Sequence, residues 1–253
     1  MNYADGQVPR VLIATALMLA PTYQVLMPGI SRLQADREAA GRLADSILRA
    51  AAVVGTPLLL GLAAVASPLV PLLFGVHWAD AVPVAQLLML LGVRASMSTV
   101  QVAVVRGMGR PNWHLAGAAF GLAMTIALTT AAIEHGLLAV TAAVVVKAFL
   151  MWAPYAWLVR RLTGLTATQQ AAAATGPTLA ALIMAACVFA FVQWVGDQIP
   201  ATATLALAIG LGAALYLAAL AVFAPAAAAF VRAALATLAR GDMKGLRALF
   251  AAG

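Results

Sequence analysis

The sequence predicts an all-α polytopic membrane protein, and three observations carry that expectation. Hydrophobic residues make up 64% of the 253 residues and charged residues only 9%, whereas a soluble domain carries about 25% charged residues; mean hydropathy is +1.00. Apolar runs of about 20 residues, long enough for a helix to cross a bilayer, recur along the chain. Basic residues gather in every second loop between those runs, as they do in cytoplasmic loops.

About seven spans are expected in order, roughly residues 11–30, 50–74, 82–105, 115–132, 137–159, 177–195 and 201–223, followed by an amphipathic tail to residue 253. The loop after the first span holds Arg32, Arg37, Arg42 and Arg49. The loop after the third holds Arg106 and Arg110, the loop after the fifth Arg160 and Arg161, and the tail Arg232, Arg240, Lys244 and Arg247. The loops after the second, fourth and sixth spans hold no Lys or Arg, only Asp80, Glu134 and Asp197. This alternation predicts an outer N-terminus and a cytoplasmic C-terminus. Residues 1–10 lack a basic, cleavable lead-in, so an outer N-terminus points to a further upstream part.

Two segments outside the spans have helical periodicity. In residues 31–49, Leu33, Ala40, Leu43, Ile47 and Leu48 fall near one face. In the tail, Phe230, Val231, Leu235 and Leu238 do the same before Gly241, and Leu246, Leu249 and Phe250 continue the pattern. Both are expected to lie in the cytoplasmic interface against anionic membrane lipids, a solvated connector being the plainer alternative for the tail.

Three cations escape the loop pattern: Arg10, Arg94 and Lys147. Arg94 lies halfway along the third span, where a charge costs about 2.5–3.5 kcal/mol on insertion scales and so faces a polar interior or a cavity. It is a candidate anion contact. Snorkelling or pairing with a structural acid is the competing explanation, and no acid lies in the middle of any span to support the pairing. Lys147, midway along the fifth span, is a second candidate, although its long stem can snorkel. Arg10 sits at the outer edge of the first span, where an interfacial anchor is the simpler role. Gln101, Ser98 and Gln86 stand at helical spacing from Arg94 and would form a polar stripe with it, suited to phosphate or sugar hydroxyls.

Prolines at positions 21, 28, 57, 68, 71 and 154 fall within spans, where each removes a backbone hydrogen bond and can kink its helix. Gly117 and Gly121 form a GxxxG packing face. Trp78, Trp113, Trp152 and Tyr155 are placed near interfaces. The single Cys187 has no disulfide partner. No nucleophile–base–acid set, phosphate-binding glycine loop or metal-spaced cluster is present, so neither an enzyme nor a cofactor or metal site is expected. The net charge of +7 reads as cytoplasmic loops rather than a nucleic-acid surface.

The stretch LLFGVHWADAVPVAQLLMLLGVRASMSTVQVAVVRGMGRP combines a Leu-Phe-Gly turn, a nearby Trp, a span with a central arginine and a Gly-Arg ending. It resembles bacterial polysaccharide (lipid-linked oligosaccharide) flippases of the colanic-acid or O-antigen exporter type. Upstream, VLMPGISRLQADREAAGRLADSILRAAAVVGTPLLLGLAAVASPLV looks like the two preceding helices of that family. The likeness covers about residues 9–162. Such flippases have two six-helix lobes around a cavity, within a superfamily that also holds multidrug extruders. The resemblance therefore implies a C-terminal half: five second-lobe helices over residues 1–162, two peripheral helices over 163–223, and a cytoplasmic tail over 224–253. It implies a bacterial inner-membrane location, and a missing N-terminal lobe or partner subunit. The implied activity is translocation of undecaprenyl-diphosphate-linked oligosaccharide, with Arg94, Lys147, Gln101 and Arg10 as substrate-binding residues. The alternatives are a cation-coupled multidrug antiporter, which would need cavity acids absent here, and a non-transporting assembly protein or remnant.

Overall fold

The structure, a computed structural model, describes residues 29–196 and 198–239. The first expected span up to residue 28, with Arg10, Pro21 and Pro28, lies outside the described residues, as do the tail from residue 240 and the side chains of Phe230, Leu235 and Leu238. The described chain is helical, and no strand occurs among its residues. Its helices are α1 (Arg37–Ala64), α2 (Ala66–Phe74), α3 (Val82–Gly107), α4 (Pro111–Ala132), α5 (Gly136–Leu150), α6 (Trp152–Thr163), α7 (Ala167–Val195), α8 (Ala201–Phe223) and α9 (Pro225–Ala239). Short 3-10 turns cover Val76–Ala81 and Ile133–His135.

Among the described residues, five stretches are long and apolar enough to cross a membrane: Arg37–Ala64, Val76–Gly107, Pro111–Thr163, Ala167–Val195 and Ala201–Phe223. The third is 53 residues long and folds back on itself. Gly136, with φ of 87°, makes the turn a side chain would resist. α4 then runs against α5 and α6, with Gly121 beside Met151 and Lys147 and Gly117 beneath the Tyr155 ring. The GxxxG glycines thus form a packing face within this hairpin.

Prolines decide where helices break. A proline ring clashes with the carbonyl four residues earlier, and the chain leaves helical geometry near that point. α1 ends at Ala64, four before Pro68, and α5 ends at Leu150, four before Pro154. Ala224, which precedes Pro225, is pushed to φ −149° and ψ 68°, separating α8 from α9. Pro57 lies inside α1 without a break. The carbonyl it leaves without a helical donor belongs to Val53, and the buried Tyr216 of α8 donates its hydroxyl to that oxygen at 2.7 Å.

The segment over residues 31–49 differs from the separate interfacial helix expected of it. From Arg37 it continues unbroken into the span as one 28-residue helix. Ala50, Ala51 and Ala52 follow Arg49 with no breaker between them, and alanine is the strongest helix former.

The helices divide into two compact units, one within Met1–Leu48 and Arg94–Gln170, the other within Arg49–Val93 and Ala171–Gly253. In the first, residues 34–37 tie down the C-terminal ends of two helices. Gln34 Nε2 donates to the Gly107 carbonyl at the end of α3 at 2.7 Å. Arg37 Nε donates to the Leu162 carbonyl near the end of α6 at 2.9 Å, and its Nη2 to that of Arg161. Gly164, at φ 81°, then stops α6. α7 starts with a reciprocal cap: Thr166 N–H donates to Gln169 Oε1 at 2.9 Å, and Gln169 N–H to Thr166 Oγ1 at 3.2 Å. The basic loops after the first, third and fifth expected spans therefore meet at one end of this unit.

In the second unit, α2 and α9 each pack against α8. Gly61 of α1 lies against Met184 of α7, and Gly212 of α8 against Val188 and Met184. Gly92 in the first half of α3 lies against Leu59 of α1.

Tyr216→Phe is expected to lower the thermal midpoint by the equivalent of about 1 kcal/mol, because it strands the part-buried Val53 carbonyl. Restoring the backbone donor with Pro57→Ala in the same chain should recover most of the loss. Additive losses in the double variant, followed by thermal unfolding in detergent, would refute the tyrosine's role as the proline's substitute donor.

Candidate functional site

Among the described residues, the centre of α3 carries the built polar arrangement that the expected site residues Arg94 and Gln101 enter. α3 is apolar along most of its length, so Arg94 is carried into the packed unit with it, and only 3% of the residue remains exposed. Gln101, two turns on and 1% exposed, lies on the same side. Its Oε1 accepts from Arg94 Nη2 at 2.9 Å. Its Nε2 donates to Oε1 of Gln170, in the first turn of α7, at 3.1 Å. Gln170, 3% exposed, donates its own Nε2 to the main-chain carbonyls of Ala156 in α6 and Leu165, at 3.0 Å each.

The electrostatics of this chain are unbalanced. Arg94 Nε and Nη1 are buried and have no hydrogen-bond partner among the described residues. Among the described residues no carboxylate pairs with the guanidinium; the Arg42–Glu38 ion pair lies on an exposed helix face, a type of pair that contributes little. A guanidinium presents five N–H donors in a planar fork suited to carboxylate or phosphate. The site is thus a dry, fixed, singly charged donor set with donors to spare.

The rest of the expected stripe does not join it. Ser98 turns its hydroxyl back to the Arg94 carbonyl at 2.9 Å, and Gln86 donates to the Ala63 carbonyl at 3.1 Å. Thr99, Thr125, Thr141 and Thr175 likewise close on carbonyls four residues earlier. A hydroxyl in apolar surroundings satisfies itself this way, which is why spacing alone overcounts polar stripes. Lys147 is half-buried, its stem against Gly121, and it has no part in the Arg94 network. Arg10 lies outside the described residues. Tyr155 is buried and bonded to His114 Nδ1 at 2.9 Å, while Trp113 and Trp157 each carry an arginine over the ring, Arg110 at 5.4 Å and Arg161 at 5.1 Å.

Among the described residues no group of three or more His, Cys, Asp or Glu is placed to hold a metal. The residue the sequence reading missed is Gln170. Its available signal was a Gln-Gln pair opening an apolar helix, of which one member is explained by the cap at Thr166 and the other is not.

The chain is an all-α multi-pass membrane protein. Residues 7–83 match the profile of a family described as polysaccharide biosynthesis protein. Over 89 residues the chain is 33% identical to the lipopolysaccharide biosynthesis protein WzxC of Escherichia coli (strain K12). That alignment covers 35% of this chain and 18% of WzxC, so the chain matches less than a fifth of that relative's length. No solved structure matches closely enough to count as a relative. Both likenesses are to polysaccharide-biosynthesis proteins, and each covers only part of this chain. The family match ends before Arg94, so the site rests on its own geometry.

Arg94→Met is expected to leave the thermal midpoint unchanged or raise it. The variant strands one acceptor, Gln101 Oε1, at about 1–3 kcal/mol, but it removes a buried charge with two unsatisfied nitrogens, and apolar replacement of buried ions is often stabilising by about 1–4 kcal/mol. A clear fall in the midpoint would identify Arg94 as a structural tie.

Proposed function

We propose that this chain is part of a flippase that carries undecaprenyl-diphosphate-linked oligosaccharide from the inner to the outer leaflet of a bacterial inner membrane. The observation that carries this reading is the buried Arg94 guanidinium, held by one neutral amide and with two nitrogens unpartnered among the described residues. A charge kept inside a membrane helix at this cost faces a functional partner by default, and a phosphate or an acidic sugar is the partner a guanidinium binds best. The lipid tail would stay in the bilayer while the headgroup meets the arginine. Gln101 holds Arg94 in place, and Lys147 and Arg10 supply further positive charge along the path. A second lobe, on the same chain or on a partner subunit, completes the cavity, in keeping with the small share of WzxC that this chain matches.

In this reading Arg94→Ala lowers polysaccharide export at least about tenfold, the scale of one lost charge-assisted hydrogen bond, while the protein still inserts in the membrane. Arg94→Lys keeps the charge but loses the planar fork, and falls between the two. Surface polysaccharide measured alongside membrane-fraction immunoblots tests this. Wild-type export by the Arg94→Ala, Lys147→Ala double variant would sink the assignment.

A further inference from the structure

The three buried side chains of the site form a one-way sequence of hydrogen bonds whose direction is set at its far end. The carbonyl oxygens of Ala156 and Leu165 can only accept. Both lie 3.0 Å from the same Gln170 nitrogen, so that end of the amide must be the NH2 group. Gln170 Oε1 is then the atom left to face Gln101, and it too can only accept. Gln101 must therefore turn its NH2 toward Gln170, at 3.1 Å, and its Oε1 toward Arg94, at 2.9 Å. Flipping either amide would set an NH2 group against the guanidinium or an oxygen against two carbonyls. All three residues are 1–3% exposed, so water is not at hand to repair such a reversal.

We infer that Gln170 is a positioning residue for the anion site: from the main chain of α6 and the α6–α7 connection, it dictates that Gln101 presents an acceptor to Arg94. That acceptor engages Nη2 and leaves Nε and Nη1 for the ligand. The inference rests on the reading of Arg94 as an anion contact and extends it to a helix whose residues otherwise carry no part of the site. The cap formed by Thr166 and Gln169 sets where α7 begins, and so holds Gln170 in register with Gln101.

The test is binding of farnesyl diphosphate, a short soluble lipid diphosphate, to the full chain in detergent, followed by tryptophan fluorescence at two salt concentrations. Arg94→Ala should abolish the salt-sensitive binding. Gln101→Leu and Gln170→Leu should each weaken it about fivefold, the scale of one net hydrogen bond. The Leu/Leu double variant should be no worse than Gln101→Leu alone, because both act along one path. Gln170→Glu keeps the side-chain shape but cannot donate to two carbonyls; it should weaken binding at least as much as Gln170→Leu, and it serves if the leucine variant does not accumulate. Loss of binding in Arg94→Ala with wild-type affinity in the Gln170 variants overturns the positioning role and leaves the anion site standing. Multiplying losses in the double variant overturn it as well. Unchanged binding in Arg94→Ala overturns the anion site itself, and the positioning role with it.

Discussion

A charge that cannot reach water needs its surroundings arranged around it, and Arg94 imposes that demand on the first unit. The structure meets it with amides rather than with a carboxylate. A carboxylate would neutralise the guanidinium and occupy its fork, whereas an amide oxygen engages one nitrogen and leaves the net charge in place. Three helices contribute to this arrangement: α3 supplies the arginine and its acceptor, α7 the second amide, and α6 the carbonyl that anchors it. In the proposed function, the ligand supplies the negative charge that this arrangement lacks.

The basic residues at the end of the first unit have two physical roles. Their distribution over alternate loops is the sorting signal that orients membrane segments. Arg37 is also structural, because its guanidinium covers the carbonyls of Arg161 and Leu162, where α6 runs out of internal donors. A cation there also meets the negative end of the helix dipole, worth about 0.3–1 kcal/mol. Gln34 does the same for α3 without a charge. The connection before α1 is thereby fixed to the helix that carries Arg94 and to the helix that anchors Gln170.

Much of the fold was legible in the sequence. Apolar runs and alternating arginines predicted an all-helical membrane chain, and prolines 68 and 154 were legible as kinks within single spans, whereas the structure breaks the helix four residues ahead of each. Pro57 was legible as a proline in a span but not as one the helix absorbs, because its replacement donor, Tyr216, lies 163 residues from Val53. The continuation of residues 37–49 into the span was missed because arginines on one face suggested an interfacial helix, while the backbone followed its alanines. Within the site, Arg94 and Gln101 share a helix face, so their spacing of seven residues was enough to pair them.

By itself the sequence determined that this is a helical membrane protein, where its charges fall along the chain, and that an arginine sits where lipid or packed helices exclude water. Those properties follow from transfer energies and helical periodicity, which are local or additive along the chain. Tertiary structure decided which polar groups meet. Gln170 bonds to Gln101 across 69 residues of chain, while Ser98 and Gln86, nearer in sequence, turn to backbone carbonyls. A hydrogen bond depends on angstrom-scale distance and on donor direction, and neither is encoded in composition, period or spacing.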